Sequence, residues 1–131
     1  MVYFKSSEEL QKVLGGFFQL LGQHPQLGPK FLHSKLVVRF NYREPELSIT
    51  ADCTGSNVII TFNDTTKKPE VEMDMKADVA HEFWIGKINL LVALGRRQMI
   101  ARGHIPKILK LLPILKPAHE LYRQYIESFS L

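Results

Sequence analysis

At 131 residues, with 45% hydrophobic and 23% charged side chains, the chain has the size of one domain and can bury roughly two thirds of its unfolded surface. That composition excludes the disordered and low-complexity classes. A formal charge of +4 and a pI near 9.3 lean towards phosphate-rich partners without demanding them. Cys53 is the only cysteine, which excludes an intramolecular disulfide, and "MVYFKSSEEL" lacks the basic-then-apolar order of a secretory signal. A single domain over residues 1–131 in a cytoplasmic setting is the expectation.

Ser6 and Glu9 fit a capping box, and Leu10, Val13, Leu14, Phe17, Phe18 and Leu21 follow at the spacing that gathers side chains on one helical face. This predicts a first helix ending at Gly22. The segment "QHPQLGPK", with two prolines and a glycine in eight residues, is expected to be a loop. From Lys35 the period changes to two: Leu36, Val38, Phe40 and Tyr42 alternate with polar residues, Leu47, Ile49, Ala51 and Cys53 repeat the pattern, and Val58, Ile60 and Phe62 continue it. After the polar stretch "NDTTKKP" a fourth strand places Val71, Met73 and Met75 on one side and Glu70, Glu72, Asp74 and Lys76 on the other. The sheet therefore has one buried face. Asp78 is expected to cap a short helix carrying Ala80, Phe83 and Trp84 and ending at Gly86, with a helical turn or two in "INLLVALG" and a fifth strand in "RQMIARG". Pro106 suits a helix start, Ile108, Leu111, Leu112 and Leu115 form an apolar stripe that Pro113 and Pro117 should bend or split, and a last helix carries Ala118, Leu121, Tyr122, Tyr125, Ile126 and Phe129. The order implies a two-layer α+β domain with helices over one face of a mostly antiparallel sheet.

Motifs for chemistry fail on their spacing. Gly86-Lys87 would belong to a phosphate loop only with glycine where His81 stands and Ser or Thr where Ile88 stands. His119-Glu120 would begin a zinc-protease helix only with a histidine in place of Arg123. His24, His33, His81 and His104 lie scattered without ligands at metal spacing, Cys53 falls on the apolar side of a strand with no base beside it, and the sequon at Asn63 means nothing without a secretory route. No catalytic residue, metal or cofactor is expected.

Arg96, Arg97, Arg102, Lys107, Lys110 and Lys116 make the second half basic, but Leu, Ile and Met lie between them where nucleic-acid binding would want aromatics to stack on bases. No nucleic acid is expected. Basic residues flanking an apolar stripe suit transient contact with an anionic membrane surface, through Lys107, Lys110 and Lys116. About a third of the stretch from Asp78 to Pro117 is leucine or isoleucine, with Met73, Met75, Phe83, Trp84 and Met99 in or near it, and side chains with many rotamers suit an adaptable cavity wall.

The run "PEVEMDMKADVAHEFWIGKINLLVAL" followed by "QMIARG" resembles the signature of the sterol-carrier-protein type-two lipid-binding domain: Pro69, Glu70, Val71, Met73, Phe83, Gly86, Ala93, Leu94, Met99 and Gly103 fall at matching places. The first helix and the three earlier strands fit the same fold, so the resemblance spans nearly the whole chain. It implies a five-stranded sheet with helices covering one face, a hydrophobic tunnel between them, and noncatalytic binding and transfer of sterols, fatty acyl chains, acyl-CoA or phospholipids. On that basis Met73 and Met75 are expected on the floor of the cavity, and Phe83, Trp84, Leu91, Leu94, Met99, Leu111, Leu112 and Leu115 around it. Relatives of this domain also serve as accessory modules that present a hydrophobic substrate, such as a quinone precursor, to an enzyme, and a third reading is a protein-interaction domain with a filled core. The chain departs from the pattern in three places. Arg97 stands where family members often carry glycine, so Gly95 is expected to serve the turn; His104 replaces an acidic or amide residue; and the tail "SFSL" lacks a peroxisomal Ser-Lys-Leu-type address. A 16-carbon chain withdrawn from water gains about 12 kcal/mol at about 0.8 kcal/mol per methylene, and losing half of that still leaves binding in the micromolar range.

Overall fold

The structure, a computed structural model, describes residues 3–129; the end of the "SFSL" tail and the first two residues of the chain lie outside it. Helix α1 (Ser7–Leu10) runs through a π-helical turn (Gln11–Gly15) into α2 (Gly16–Gln23). Ser6 caps it by accepting from the Glu9 amide at 3.1 Å, while the Glu9 carboxylate reaches back to the Lys5 amide at 2.9 Å. The widened turn frees carbonyls, and the Tyr125 hydroxyl donates to that of Val13 at 2.9 Å from the far end of the chain. The helix passes through Gly22 rather than ending there, because its apolar face continues to be buried to Leu21 and Gly28 packs so closely on Gly22 that a Cβ would meet its carbonyl oxygen at 2.5 Å.

Of the expected loop at "QHPQLGPK" only residues 24–26 lie outside a helix, and from Leu27 the segment is the start of helix α3 (Leu27–Ser34). Pro29 falls in the first turn, where no amide donor is needed, and His24 Nδ1 accepts from the amides of Gln26 and Leu27 at 3.1 Å each, the task of a capping side chain. Lys35, read as the start of a strand, takes the left-handed conformation that ends the helix.

The sheet comprises β1 (Val37–Arg43), β2 (Leu47–Asp52), β3 (Ile59–Phe62), β4 (Val71–Lys76) and β5 (Met99–Gly103) in the order β3-β2-β1-β4-β5. Three pairings are antiparallel and one, β1 with β4, is parallel. The register sets Phe40 opposite Met73 and Tyr42 opposite Met75, with Met75 opposite Met99, so the inner face is one apolar surface. The parallel pairing requires the chain to return along the sheet between β3 and β4, and it crosses the outer face to do so. Arg39 donates to the Lys67 carbonyl at 2.6 Å and to Thr50 at 3.0 Å, and Lys67 pairs with Asp52. Thr50 and Asp52 are buried beneath this crossover, so part of the second face is also covered.

Helix α4 (Ala77–Ile85) follows β4 directly. Asp78 does not cap it: the carboxylate sits in the first turn and accepts from the Tyr3 amide at 2.9 Å, tying the N-terminal arm to α4. Asn89 caps α5 (Leu90–Gly95), accepting from the Leu91 amide at 2.8 Å. After β5 a 3-10 helix (Ile105–Leu111) leads into α6 (Leu112–Tyr125) and a final 3-10 turn (Ile126–Ser128). The prolines split the stripe as expected at Leu111/Leu112, but Pro117 is accommodated inside one continuous α6 rather than separating two helices. The fold is α+β, a five-stranded, mostly antiparallel sheet with helices packed on one face, and no helix among the described residues is long and apolar enough to cross a membrane.

Candidate functional site: an apolar cavity under a 3-10 roof

Between sheet and helices lies a cavity lined by apolar side chains alone. Its floor is the inner face of the sheet: Val38 and Phe40 of β1, Met73 and Met75 of β4, Met99 of β5. Phe83 and Trp84 of α4, Phe31 of α3 and Leu90 of α5 form its walls. Ile108 and Leu111 of the 3-10 helix, with Ile114 and Leu115 from the first turn of α6, roof it over. The free space, counted out through the mouth, is about 620 Å³, of which only about 50 Å³ can be reached by the centre of a water-sized sphere. The smaller figure is room for a few waters, without polar groups to keep them there.

Seven residues expected at the cavity line it: Met73, Met75, Phe83, Trp84, Met99, Leu111 and Leu115. Three do not. Leu91 is 73% exposed, because Leu90, Ala93 and Leu94 occupy the inward i, i+3, i+4 face of α5 and Leu91 lies about 100° from it. Leu112 is 43% exposed: the 3-10 period of three aligns Ile108 with Leu111, the α period then carries the buried line through Ile114, Leu115 and Ala118, and Leu112 falls off it. Leu94 is half-buried but faces a neighbouring surface depression. The lining residues not anticipated are Val38, Phe40, Leu90, Ile108, Ile114 and Phe31. Val38 and Phe40 lay on the apolar side of their strand and Ile108 in the apolar stripe, whereas Phe31 sat beyond a segment that composition marked as irregular.

Around the cavity, burial governs the titratable groups. His81, in α4, shares a 2.7 Å hydrogen bond from its Nδ1 with the Tyr122 hydroxyl of α6, and burial holds its pKa below the ordinary value while raising that of Tyr122. The pair joins the two helices behind the cavity rather than entering it. Cys53 is buried, and desolvation pushes its thiol up to about 11, the opposite of an activated nucleophile. Among the described residues no three His, Cys, Asp or Glu side chains gather as a metal site. The roof is tied to the sheet at one end, where Lys107 Nζ donates to Glu70 at 2.6 Å and the His104 amide to the Glu70 carbonyl at 2.9 Å. Lys107 is therefore engaged in the fold, while Lys110 and Lys116 point into solvent. Arg97 takes φ 60°, so it occupies the left-handed turn position itself, and Gly95, expected to serve that turn, remains the last residue of α5.

No family model matches the chain, and no curated protein matches it in sequence. Its architecture is similar to that of several solved structures. One is the sterol carrier protein domain 2 of Helicoverpa armigera, at 18% identity and a TM-score of 0.64, with 92% of each chain covered. Another is the apo form of sterol carrier protein 2 from Yarrowia lipolytica, at 14% identity and 0.67, covering 88% of this chain and 97% of that one. A third is UbiJ-SCP2, a ubiquinone synthesis protein, at 14% identity and 0.62, covering 83% and 92%. The chain has the sterol carrier protein 2 fold.

Proposed function

We propose, from the sterol carrier protein 2 fold and the cavity it builds here, that this chain binds a lipid (a sterol, fatty acyl chain, acyl-CoA or phospholipid) between sheet and helices and transfers it without chemistry. The observation that carries the reading is a cavity whose every lining side chain is apolar, placed between a methionine-rich floor and a thin roof. Such a space stays dry and accepts hydrocarbon. At about 50 Å³ it is well short of the roughly 300 Å³ at which small-molecule pockets begin, so binding requires the roof to lift and the methionines to change rotamer. The roof suits that movement. Seven residues is long for a 3-10 helix, whose hydrogen bonds are poorer than those of an α-helix, and it meets α6 at a change of helical type beside Pro113.

The outer surface around the roof supports transfer at a membrane. Leu91, Val92, Ile105, Leu109 and Leu112 are exposed there, and between Glu82 and Glu120 the sequence carries Lys87, Arg96, Arg97, Arg102, Lys107, Lys110 and Lys116 with no acidic residue. Lys107 and Arg102 are paired with carboxylates of the β4 segment, and apolar side chains amid the remaining cations match an anionic bilayer surface. A second reading, an accessory module that presents a hydrophobic substrate such as a quinone precursor to a partner enzyme, draws on the likeness to a ubiquinone synthesis protein.

Native mass spectrometry of gently purified protein, followed by organic extraction, tests the common premise. A stoichiometric lipid is the expected result and names the ligand class. Protein that is empty and also ignores acyl chains and sterols would overturn the reading in favour of an interaction domain with a filled core. Vesicle-to-vesicle transfer by the protein alone marks a carrier; transfer only with a co-purifying enzyme marks a presenter.

A further inference from the structure

Beside the cavity lies a second hollow. Leu94, Ile100, Ala101 and Ile105 line an open depression of about 270 Å³ next to β5, the edge strand of the sheet, and Met99 lines both this depression and the cavity. It is the one residue the two linings share, and its unbranched side chain is the kind that can swing aside.

Arg97 also lines the depression. Its φ of 60° lies in the left-handed region that glycine enters freely and a residue with a Cβ enters at a cost, so the backbone favours glycine where the sequence places arginine. The side chain makes no ion pair or hydrogen bond among the described residues. No carboxylate can reach it from its own stretch, since none occurs between Glu82 and Glu120, and the outward carboxylates of β4, Glu72 and Asp74, are taken by Arg102. A guanidinium without a partner among the described residues, carried on a left-handed backbone, thus stands at an apolar depression that Met99 separates from the apolar cavity.

We infer that this depression is the head-group site for an anionic single-chain amphiphile. The tail enters the cavity past Met99, and the carboxylate or phosphate lies against the Arg97 guanidinium, whose fork of donors suits either group. The inference rests on the lipid-binding reading above and narrows its ligand to one with a charged head.

Displacement of the neutral fluorophore N-phenyl-1-naphthylamine by dodecanoate, dodecyl phosphate and dodecanol, each below its micellar concentration, tests it. Wild-type protein is expected to bind the two anions at least tenfold more tightly than the alcohol, and the ratio of the two anions tells a fatty acid from a phosphate-bearing lipid. Arg97→Gly is expected to lose about tenfold for both anions, to leave dodecanol within twofold, and to melt higher because the backbone strain is relieved. Arg97→Lys should retain part of the preference. Arg96→Gln, which removes the same charge one residue away from the depression, should leave it intact. Equal binding of acid and alcohol, or an Arg97→Gly variant that weakens all three alike, would overturn the head-group site while leaving the cavity reading standing. Failure of all three to displace the probe would overturn both.

Discussion

Asp52 illustrates how single side chains hold the face of the sheet that the cavity does not use. The Lys67 ammonium and Thr54 hold its carboxyl down at about 2, from an ordinary value of 3.8, and in doing so fasten the β3–β4 crossover to β2. A depressed folded-state pKa contributes stability that is complete above about pH 4 and lost as the pH falls towards 2. One pKa unit corresponds to about 1.4 kcal/mol, and water screening of the partly exposed Lys67 reduces the total to about 1 kcal/mol. Asp52→Asn keeps the acceptor for Thr54 but loses the ion pair. It is expected to unfold at lower denaturant concentration by about 1 kcal/mol at pH 7, with the difference from wild type closing by pH 2. Glycine at 103 acts more locally: its φ is 93° and a Cβ would meet the Glu70 carbonyl oxygen at 2.3 Å, so only glycine lets β5 leave β4 at the point where the roof begins.

In the proposed lipid-binding function the roof is the element on which binding turns, and its sequence accounts for its form. Residues 105–115 hold two prolines, no acidic side chain and apolar residues on more than one side, so it is neither a well-capped α-helix nor a strand. Ile108, Leu111, Ile114 and Leu115 seal the cavity while Leu109 stays 58% exposed. Leu115→Phe tests whether the slot beneath is the binding space. The larger ring fills a void rather than displacing a packed neighbour, so the melting temperature should stay within about 2 °C of wild type, overpacking costs being small where space exists. Affinity for a fluorescent fatty acid should fall at least tenfold by titration; unchanged affinity would place the ligand elsewhere.

For the molecule as a whole, charge and apolar exposure coincide in one stretch of the chain. Among the described residues, five of the six large hydrophobic residues that are exposed lie between Leu91 and Leu112, within the stretch that has no acidic side chain; the sixth, Ile59, is at the opposite edge of the sheet. A second copy would bring like charges together at this surface, whereas an anionic bilayer neutralises them, at about 1 kcal/mol per basic residue near the surface. Sedimentation with vesicles should show binding to phosphatidylserine-containing membranes and little to neutral ones. Lys110 and Lys116, both solvent-facing, should weaken it about tenfold when both are changed to Gln, and 0.5 M salt should do likewise. Equal binding to neutral vesicles would remove electrostatics from the account.

The sequence by itself determined the elements with a sustained period: the capped first helix, the alternating strands, the turn at Gly86 and the class of fold, because a repeat of 2 or 3.6 states which side of an element meets the core. It also pointed to Met73, Met75, Phe83, Trp84 and Met99 as cavity-lining residues, since each lay on an apolar face or within the family-like signature. Only the tertiary structure decided the rest. Helix α3 depended on His24 capping a proline-containing first turn, the parallel β1–β4 pairing on a crossover anchored by Arg39 and Lys67, and the orientation of Leu91 and Leu112 on short helices whose phase was set by their neighbours. The volume of the cavity and the left-handed Arg97 beside it were likewise outside any pattern. Periodicity reports burial one element at a time, whereas an enclosed space is the shape left between elements and exists only once they are packed together.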